Sequence, residues 1–302
     1  SDCLVGSEMC IRDRLGTIKF YPIYFDFKNI ASNLISLDEL FDRKLLRINE
    51  VNFDGSVGQV EVTNDSRYYL YILDGEAISG AKQNRIAERS VIIAPYSSTI
   101  VPVNCVERGR WNYNSQNFSK SEFVLHPKAR DEKAELLKNK AEHQIQNSVW
   151  SKIDELSEKH QVYSNTSDLG DILDKTDSRY DLDYFDKIKN LDINGYVLEG
   201  AGRTFIEVFF DKLACKANIR KSIRSWLADS DQKVMPSSLN VQSFIDEFLN
   251  SKWDDDNSIN IEKTYSSRTR NSGRSFFFDN NLIHAYYYSC LLYTSPSPRD
   301  NR

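Results

Sequence analysis

Short runs of β-branched and aromatic residues, separated by Gly, Pro, Asn and Asp, constrain this chain more than any other feature. Such runs occupy residues 18–25, 47–51, 57–63 and 68–73, and Asp54-Gly55 lies between the second and the third. Their length and composition are typical of strands joined by tight turns, whereas a helix needs a longer apolar period. We therefore predict a β-meander through residue 111.

Residues 95–98 predict one further hairpin in this region. They separate an apolar run at 90–94 from another at 99–103. Pro102 has no N–H to donate, so the second run is expected at an edge of the sheet or at a strand end.

The rest of the chain mixes helical and strand patterns. Residues 128–160 carry apolar side chains at helical spacing and predict one long helix or two broken ones. Further helices are predicted at residues 36–41, 169–173, 184–188, 212–227 and 239–249. Further strands are predicted at residues 195–199, 203–210, 259–265, 275–278 and 282–289. The fold class is therefore α+β, with a β-rich, mostly antiparallel sheet core and several helices from the middle and C-terminal half.

Capping residues locate two helix starts. Ser36, followed three residues later by Glu39, is a capping-box pair for the helix at 36–41. Ser237 or Ser238 is the expected cap of the helix at 239–249.

Composition excludes some classes of partner. The 302 residues are 40% hydrophobic and 12% aromatic, which suffices for a sizeable core. A formal net charge of −5 argues against electrostatic binding of a nucleic-acid backbone by the domain as a whole. No apolar run approaches the roughly 18 residues that a membrane span needs, so no membrane association is expected.

Both ends of the chain resemble read-through of adapter DNA. Residues 4–13 and 290–300 can be back-translated onto opposite strands of one duplex, which resembles a transposon-end adapter used for sequencing libraries. We therefore expect residues 1–14 and 290–302 to be artefacts, and residues 15–289 to form a single α+β domain.

Outside those ends only Cys105 and Cys215 remain. Two thiols so far apart make neither a disulfide framework nor a CxxC metal site, which favours a reducing compartment and a cytoplasmic protein. His126, His143 and His160 lack metal-ligand spacing, so no metal site is predicted, and no cofactor can be named from the sequence.

Two loops collect polar residues that a structural strand does not need. The first, residues 80–85, contains Lys82, Gln83, Asn84 and Arg85, and the second, residues 102–111, contains Cys105, Glu107, Arg110 and Trp111. A pair of strands between the loops would bring these side chains to one end of a sheet. Lys and Arg with two amides suit an anionic ligand, although Asn and Gln also satisfy the backbone of ordinary polar turns.

Cys105, Glu107 and His284 are the candidate catalytic residues. Cys105 is either a nucleophile activated by Arg108 or Arg110 or a small buried side chain. Glu107 could act as acid or base, could clamp Arg110 or Arg85, or could form a metal-binding or acid-base carboxylate pair with Glu76. His284 is either the base for Cys105 or a core histidine.

Aromatic and amide side chains complete the predicted ligand site. Trp111 and Trp150 could stack on a ring, although large aromatic residues usually pack in a core. Gln146 stands four residues before Trp150 on the predicted helix and shares its face.

The two loops resemble those of a known family. Gly75-Glu76 with residues 80–85, followed by residues 101–111, is similar to the ARG-and-rhodanese-phosphatase-associated protein domain, first catalogued as a domain of unknown function. The similarity continues in Gln146 with Val149-Trp150, in Gly202 followed by Phe209, and in Leu282-Ile283-His284. Arg108 stands where the family usually has glutamine.

The family name implies association with ADP-ribosylglycohydrolase and rhodanese-phosphatase domains. This favours a ligand such as ADP-ribose, an NAD-derived compound or a phosphorylated nucleotide. Two hypotheses follow: a site that binds or processes such a ligand, or a non-enzymatic binding or scaffold module in which the same residues form a buried polar network.

Overall fold

The computed structural model describes residues 3–5, 9–12, 17–25, 33–52, 55–177, 188, 191–200, 203–229, 240–255, 262–267 and 271–289. Eighteen strands and six α-helices are formed within these ranges. The strands are β1 Cys3–Val5, β2 Met9–Arg12, β3 Thr17–Phe25, β4 Leu34–Ser36, β5 Leu46–Glu50, β6 Gln59–Asn64, β7 Tyr69–Ile72, β8 Glu76–Gly80, β9 Arg85–Ala87, β10 Val91–Ile93, β11 Ser97–Cys105, β12 Phe118–Val124, β13 Gly195–Gly200, β14 Arg203–Phe209, β15 Trp253–Asp255, β16 Glu262–Ser267, β17 Ser272–Phe278 and β18 Asn281–Tyr288. The helices are α1 Leu37–Asp42, α2 Pro127–Lys138, α3 Ile145–His160, α4 Leu169–Asp177, α5 Lys212–Asp229 and α6 Val241–Asn250.

The strands form three sheets, which confirms the α+β class. A nine-stranded sheet has the order β1-β3-β13-β14-β18-β17-β16-β15, with β2 also paired to β3. A six-stranded sheet has the order β12-β8-β9-β11-β6-β5, and a three-stranded sheet the order β10-β7-β4. Among these strands only β4 and β7 pair in parallel, so the sheets are mostly antiparallel as predicted.

Helices cover both faces of the large sheet, because successive apolar residues along its strands point to opposite faces. On one face, Tyr196, Phe205 and Phe209 pack with helix α5, for example with Ile223 and Trp226. On the other, alternate residues pack with helix α6, whose buried face carries Phe244, Ile245 and Phe248. The period of two along a strand therefore gives both faces an apolar layer.

For residues 128–160, where one long helix or two broken ones were predicted, the structure has two helices, α2 and α3. Lys140 adopts a left-handed conformation with a φ of 56°, and one turn of 3₁₀ helix, Glu142–Gln144, precedes α3. The first helix also begins as predicted, since the Ser36 hydroxyl accepts from the Glu39 N–H at 3.2 Å. Helix α6 does not. Its cap is Asn240, whose side chain accepts from the N–H groups of Gln242 and Ser243, in place of the predicted Ser237 or Ser238.

The hairpin predicted across residues 95–98 is wrong. β10 pairs with β7, whereas β11 pairs with β6 in a different sheet. Buried Asn64 explains the change of sheet, since its Nδ2 donates to the carbonyls of Tyr68, Ile93 and Ala94 at 2.7 to 3.2 Å. The Asn64 side chain thus fixes the connection between β10 and β11, where a hairpin turn was predicted.

Pro102 lies in an inner strand rather than at an edge of the sheet. Strand β11 pairs with β6 from Ser97 to Pro102 and with β9 from Val103 to Cys105. Pro102 is the last residue of the first pairing, and its carbonyl accepts from Glu88 N–H at 3.0 Å. A residue without an N–H is tolerated there because the strand changes its neighbour at this point.

The other predicted elements within the described residues are confirmed. They include the paired strands β5 and β6, the hairpin of β13 and β14, and helices α4 and α5. The short helix predicted at residues 184–188 lies outside the described residues, apart from Ile188. No helix in the described ranges is long and apolar enough to cross a membrane.

Candidate functional site

The two polar loops meet at one end of the six-stranded sheet. Strand β9 lies between β8 and β11, so that Arg85 is opposite Ile78 on one side and Cys105 on the other. The backbone N–H of Val106 donates to the Asn84 carbonyl at 3.0 Å and extends this pairing into the loops. The sequence prediction that residues 82–85 and 105–111 share one place in the fold matches this geometry.

Gly80 is required at the start of the first loop. Its φ is +123°, and a Cβ on this residue would lie 2.6 Å from Ser115 Oγ and 2.9 Å from the Asn117 carbonyl. Only glycine accepts both the conformation and the close approach.

Glu107 forms a clamp with Arg110. Its Oε1 accepts from Arg110 Nε at 2.8 Å, and its Oε2 accepts from Arg110 Nη2 at 2.6 Å and from Asn84 N–H at 3.1 Å. Arg110 also donates to the Ala81 carbonyl at 2.6 Å. Both carboxylate oxygens therefore serve to hold the two loops together, and this geometry favours the clamp over a general base.

The two amides are also satisfied by the chain. Asn84 Oδ1 accepts from Gly80 N–H at 2.9 Å, and Asn84 Nδ2 donates to Asp168 Oδ1 at 3.0 Å. Gln83 Nε2 donates to the Arg108 carbonyl at 3.2 Å. We call Gln83, Asn84, Arg85, Glu107 and Arg110 the loop cluster.

Arg85 is the centre of the loop cluster and is fully buried. Its Nη1 donates to Gln83 Oε1 at 2.9 Å and to Cys105 Sγ, and its Nη2 lies 3.5 Å from Glu50 Oε1. Arg85 Nε and Glu50 Oε2 are buried and have no hydrogen-bond partner in the described part of the chain. The guanidinium is therefore held firmly but is not completely satisfied.

Cys105 is a buried thiol rather than an activated one. Burial raises the pKa of Cys105 to about 11, although the charge of Arg85 opposes this rise. At neutral pH the side chain is consequently protonated, and a thiolate nucleophile is not favoured. The arginine beside the thiol is Arg85 rather than the expected Arg108 or Arg110, and its charge lowers the pKa of Cys105 by less than burial raises it.

His284 lies on β18 in the large sheet, whereas Cys105 lies on β11 in the six-stranded sheet. Its Nε2 is 2.9 Å from Glu207 Oε1, and its ring packs against Phe209. Glu76, the other suggested partner for this chemistry, accepts from Leu73 N–H at 3.0 Å and lies 3.6 Å from Lys221. The structure therefore brings neither side chain to Cys105 or Glu107.

Trp111 and Tyr113 form an aromatic surface beside the loop cluster. They are 41% and 44% exposed, respectively. Lys82 Nζ lies 5.3 Å from the Trp111 ring centroid and 5.1 Å from that of Tyr113, and Arg85 Cζ lies 5.7 Å from Trp111. We call these two rings the aromatic platform. Tyr113 was missed from sequence, although its spacing of two from Trp111 was a usable signal.

Gln146 and Trp150 occupy different surroundings. Gln146 accepts from Cys105 N–H at 2.8 Å and donates to the Cys105 carbonyl at 3.0 Å, so that its amide completes the edge of β11. Trp150 lies near Arg108, whose guanidinium is 5.9 Å from its ring and 3.1 Å from Asp154. Both residues therefore support the second loop, and neither contacts the aromatic platform.

A second group of charged side chains lies between helix α2 and the large sheet. We call it the interlayer cluster, and it consists of Asp74, Arg130, Lys133, Glu207, Arg274 and His284. All six are less than 5% exposed. Sequence reasoning missed this group as a whole. Two signals were available: Glu207 within an apolar strand, and Arg130 and Lys133 one helical turn apart on the apolar face of α2.

Asp74 joins the helix and the sheet. It pairs with Lys133, accepts from Tyr286 Oη at 2.9 Å and lies 3.7 Å from Arg274 Nε. Burial alone would raise the pKa of Asp74, but the charges of Lys133, Arg274 and Arg130 lower it to about 2. The carboxylate therefore remains ionised in the protein interior.

Glu207 is the second carboxylate of the interlayer cluster. Besides His284, it contacts Arg130 Nη1 at 3.4 Å and the Tyr196 hydroxyl. Burial opposes its ionisation, but the hydrogen bond with His284 and the charge of Arg130 lower the pKa of Glu207 to about 2. Within the described residues, no group of three or more His, Cys, Asp or Glu side chains is arranged to hold a metal ion.

The comparison with protein families decides where the chain belongs. The profile of the ARG and Rhodanese-Phosphatase-superfamily-associated Protein domain, ARPP-1, matches residues 11–288. The chain is a member of the ARPP-1 family. No curated protein and no solved structure matches it significantly.

The motifs that carry the ARPP-1 resemblance fall mainly on the loop cluster. Arg108, for which the sequence resemblance led us to expect glutamine in the family, projects to the surface and pairs with Asp154. Only its backbone carbonyl takes part in the loop cluster, through Gln83. The Arg108 side chain therefore takes no part in the clamp of Glu107 and Arg110.

Proposed function

We propose that this ARPP-1 domain binds a ring-bearing anionic ligand of the nucleotide class, such as ADP-ribose, at the aromatic platform. The observation that carries the proposal is the position of Lys82 against two rings that are each about two-fifths exposed. A base can stack on an exposed indole or phenol ring, and a nearby cation attracts the phosphates. The association in the family name favours an ADP-ribose or other NAD-derived ligand.

Binding without chemistry is the form of this function that the geometry favours. Cys105 is protonated and buried, Glu107 is held by Arg110, and His284 lies in the large sheet. Cys105 and Cys215 are both free, in keeping with the reducing, cytoplasmic compartment that we propose for the protein.

Calorimetric titration with four compounds tests the proposal. ADP-ribose and AMP contain both base and phosphate, adenosine lacks the phosphate, and ribose 5-phosphate lacks the base. We expect the first two to bind more tightly than the last two. Trp111→Ala should weaken ADP-ribose binding about tenfold or more, since stacking of one base contributes about 1 to 3 kcal/mol.

Matched controls separate the platform from general effects. Tyr163 is 73% exposed and its described hydrogen-bond partner is Lys175 rather than a residue of the loop cluster, so Tyr163→Ala should bind as the wild type does. Lys82→Met should weaken AMP more than adenosine, whereas Lys138→Met on the exposed side of α2 should affect neither. The proposal is wrong if none of the four compounds binds, or if Trp111→Ala leaves the affinity for ADP-ribose unchanged.

The second candidate function is a scaffold module without a ligand. The observation that favours it is the clamp of Glu107, since both of its carboxylate oxygens already accept hydrogen bonds from Arg110 and Asn84 within the protein. In that case Glu107→Ala lowers the free energy of unfolding, and no compound binds to the wild type. Stability and binding measured on the same proteins distinguish the two functions.

A further inference from the structure

A cleft of about 560 Å³ lies between helix α1, strands β4 and β12, and the first half of helix α5. Its volume falls in the range of about 300 to 1,000 Å³ that is usual for small-molecule sites. Its lining residues belong neither to the loop cluster nor to the aromatic platform. The cleft is therefore large enough for a ligand and is separate from the site proposed above.

Much of the buried lining of this cleft is apolar. Ile35 and Tyr71 come from the three-stranded sheet, and Phe210 lies just before α5 with its ring edge-on to Tyr71 at 5.6 Å between centroids. Leu213 also lines the cleft but is 72% exposed. A single exposed leucine is ordinary on a convex surface, whereas this one borders a concave site with an apolar lining. The apolar part of a ligand would remove Leu213 from water.

Two cations, Lys216 and Arg220, line the same wall of the cleft as Leu213. They stand four residues apart on α5 and therefore share one face of the helix. Both are exposed, and neither side chain forms an ion pair or a hydrogen bond with another residue that the structure describes. The charge of Arg220 reaches Asp177, but that carboxylate already accepts from Arg224 Nε at 2.9 Å. Both cations are thus available to a ligand.

Most carboxylates that line the cleft already have partners. These pairs are Asp38 with Lys221, Glu39 with Arg43, Asp42 with Lys120, and Asp211 with the N–H of Ala214. Glu122 is the exception, since it forms no ion pair with a described residue, although its charge acts on Lys120. The charges of Lys216 and Arg220 are therefore not neutralised by the opposite wall, which α1 provides.

We propose that this cleft binds a small organic anion with an apolar body. The anionic group, a carboxylate or a phosphate, pairs with Lys216 and Arg220, and the guanidinium suits either group because it can donate two parallel hydrogen bonds. The apolar body covers Leu213 and contacts the apolar lining, which adds the free energy of removing apolar surface from water. The site does not depend on the function proposed at the aromatic platform.

Ligand-detected NMR titration with four compounds tests the cleft. Phenylacetate and phenyl phosphate carry both an anionic group and a ring, benzylamine carries the ring with a cation, and acetate carries the anionic group alone. We expect at least one of the first two to bind, and benzylamine and acetate to bind at least about tenfold more weakly. The tighter of the two ring-bearing anions identifies the preferred anionic group.

Substitutions of exposed side chains locate the bound anion without disturbing the core. The double variant Lys216→Gln/Arg220→Gln should weaken binding about tenfold, since each exposed charge pair contributes up to about a fivefold change. Leu213→Ser should weaken it about threefold or more, because less apolar surface is covered. Glu122→Gln should tighten it or leave it unchanged, because a negative charge is removed from the cleft.

Two matched controls lie outside the cleft. Lys138→Gln removes an exposed cation from α2, and Leu249→Ser removes an apolar side chain that is 48% exposed on α6. Both proteins should bind the ring-bearing anions as the wild type does.

Three results would overturn the proposal. The first is that neither phenylacetate nor phenyl phosphate binds, or that benzylamine binds as tightly as they do. The second is unchanged binding of both anions in Lys216→Gln/Arg220→Gln. The third is loss of binding in Trp111→Ala with retention in that double variant, which would place the anions at the aromatic platform instead.

Discussion

The loop cluster and the interlayer cluster use similar residues in opposite ways. In the loop cluster, Arg110 and Asn84 bond largely to backbone groups of the same two loops, and Arg110 is paired with a carboxylate three residues away. In the interlayer cluster, side chains join elements that are distant in sequence, as Tyr286 and Asp74 do across 212 residues. The first cluster therefore fixes local loop shape, whereas the second fixes how a helix and a sheet meet.

Removing the charge of Asp74 should have the largest effect. Asp74→Asn removes the carboxylate that pairs with Lys133 in the interior, and we expect a loss of about 3 to 5 kcal/mol in the free energy of unfolding. Urea unfolding measures this loss. Asp154→Asn is the control, since its pair with Arg108 is about half exposed and should contribute at most about 1 kcal/mol. Equal losses in the two variants would show that the interlayer cluster is not the stronger element.

The carboxylate of Asp74 also predicts how the free energy of unfolding depends on pH in the acidic range. The pKa of Asp74 is lowered from 3.8 to about 2 in the folded protein, so its stabilising effect is complete above about pH 4 and is lost as the pH falls toward 2. The lowered pKa corresponds to about 2 kcal/mol. The difference in stability between wild type and Asp74→Asn should therefore shrink by about this amount between pH 5 and pH 2. A constant difference over that range would contradict the lowered pKa.

Breaking the clamp in the loop cluster should cost less. Glu107→Gln removes a charge from a pair in which the Arg110 side chain is 16% exposed, and the loss is expected to be about 2 kcal/mol. Urea unfolding of Asp74→Asn and Glu107→Gln in the same buffer ranks the two clusters directly. A larger loss for Glu107→Gln would reverse the comparison drawn above.

The smallest effect is expected at Cys105. Because burial raises the pKa of Cys105 to about 11, iodoacetamide at pH 8 should modify it at least about tenfold more slowly in the native protein than in urea. Peptide mass spectrometry identifies the modified thiol, with Cys105→Ser as the control for assignment. Rapid native modification would restore the case for a nucleophile.

Most of the strands and helices and the meeting of the two loops were predictable from local sequence, whereas β12 and β15 were missed. Short apolar runs, the Ser36 cap and the glycines around residue 80 act over a few residues, and the structure follows them. The assignment of β10 and β11 to different sheets was not predictable, because it depends on Asn64, some thirty residues earlier in the chain.

The site was harder to predict because burial decides what each polar side chain does. Cys105 close in sequence to Arg108 and Arg110 suggested an activated thiol, yet the arginine that contacts it is Arg85, and exclusion of water outweighs that charge. His284 was either the base for Cys105 or a core histidine, and its buried position on a strand of the other sheet fits the second interpretation. The interlayer cluster was missed because Arg130, Glu207 and Arg274 are brought together only by the tertiary fold.

Strand β11 passes through both halves of the six-stranded sheet, with β6 as its neighbour before Pro102 and β9 after it. A slip of one position against β6 would turn Cys105 and Asn104 to opposite sides and would carry the following loop with them. A change in the pairing of β5 and β6 would therefore shift β11 and, through the loop that follows it, Trp111. Under the proposed function, variants that weaken ligand binding without contacting the ligand are expected along β5 and β6.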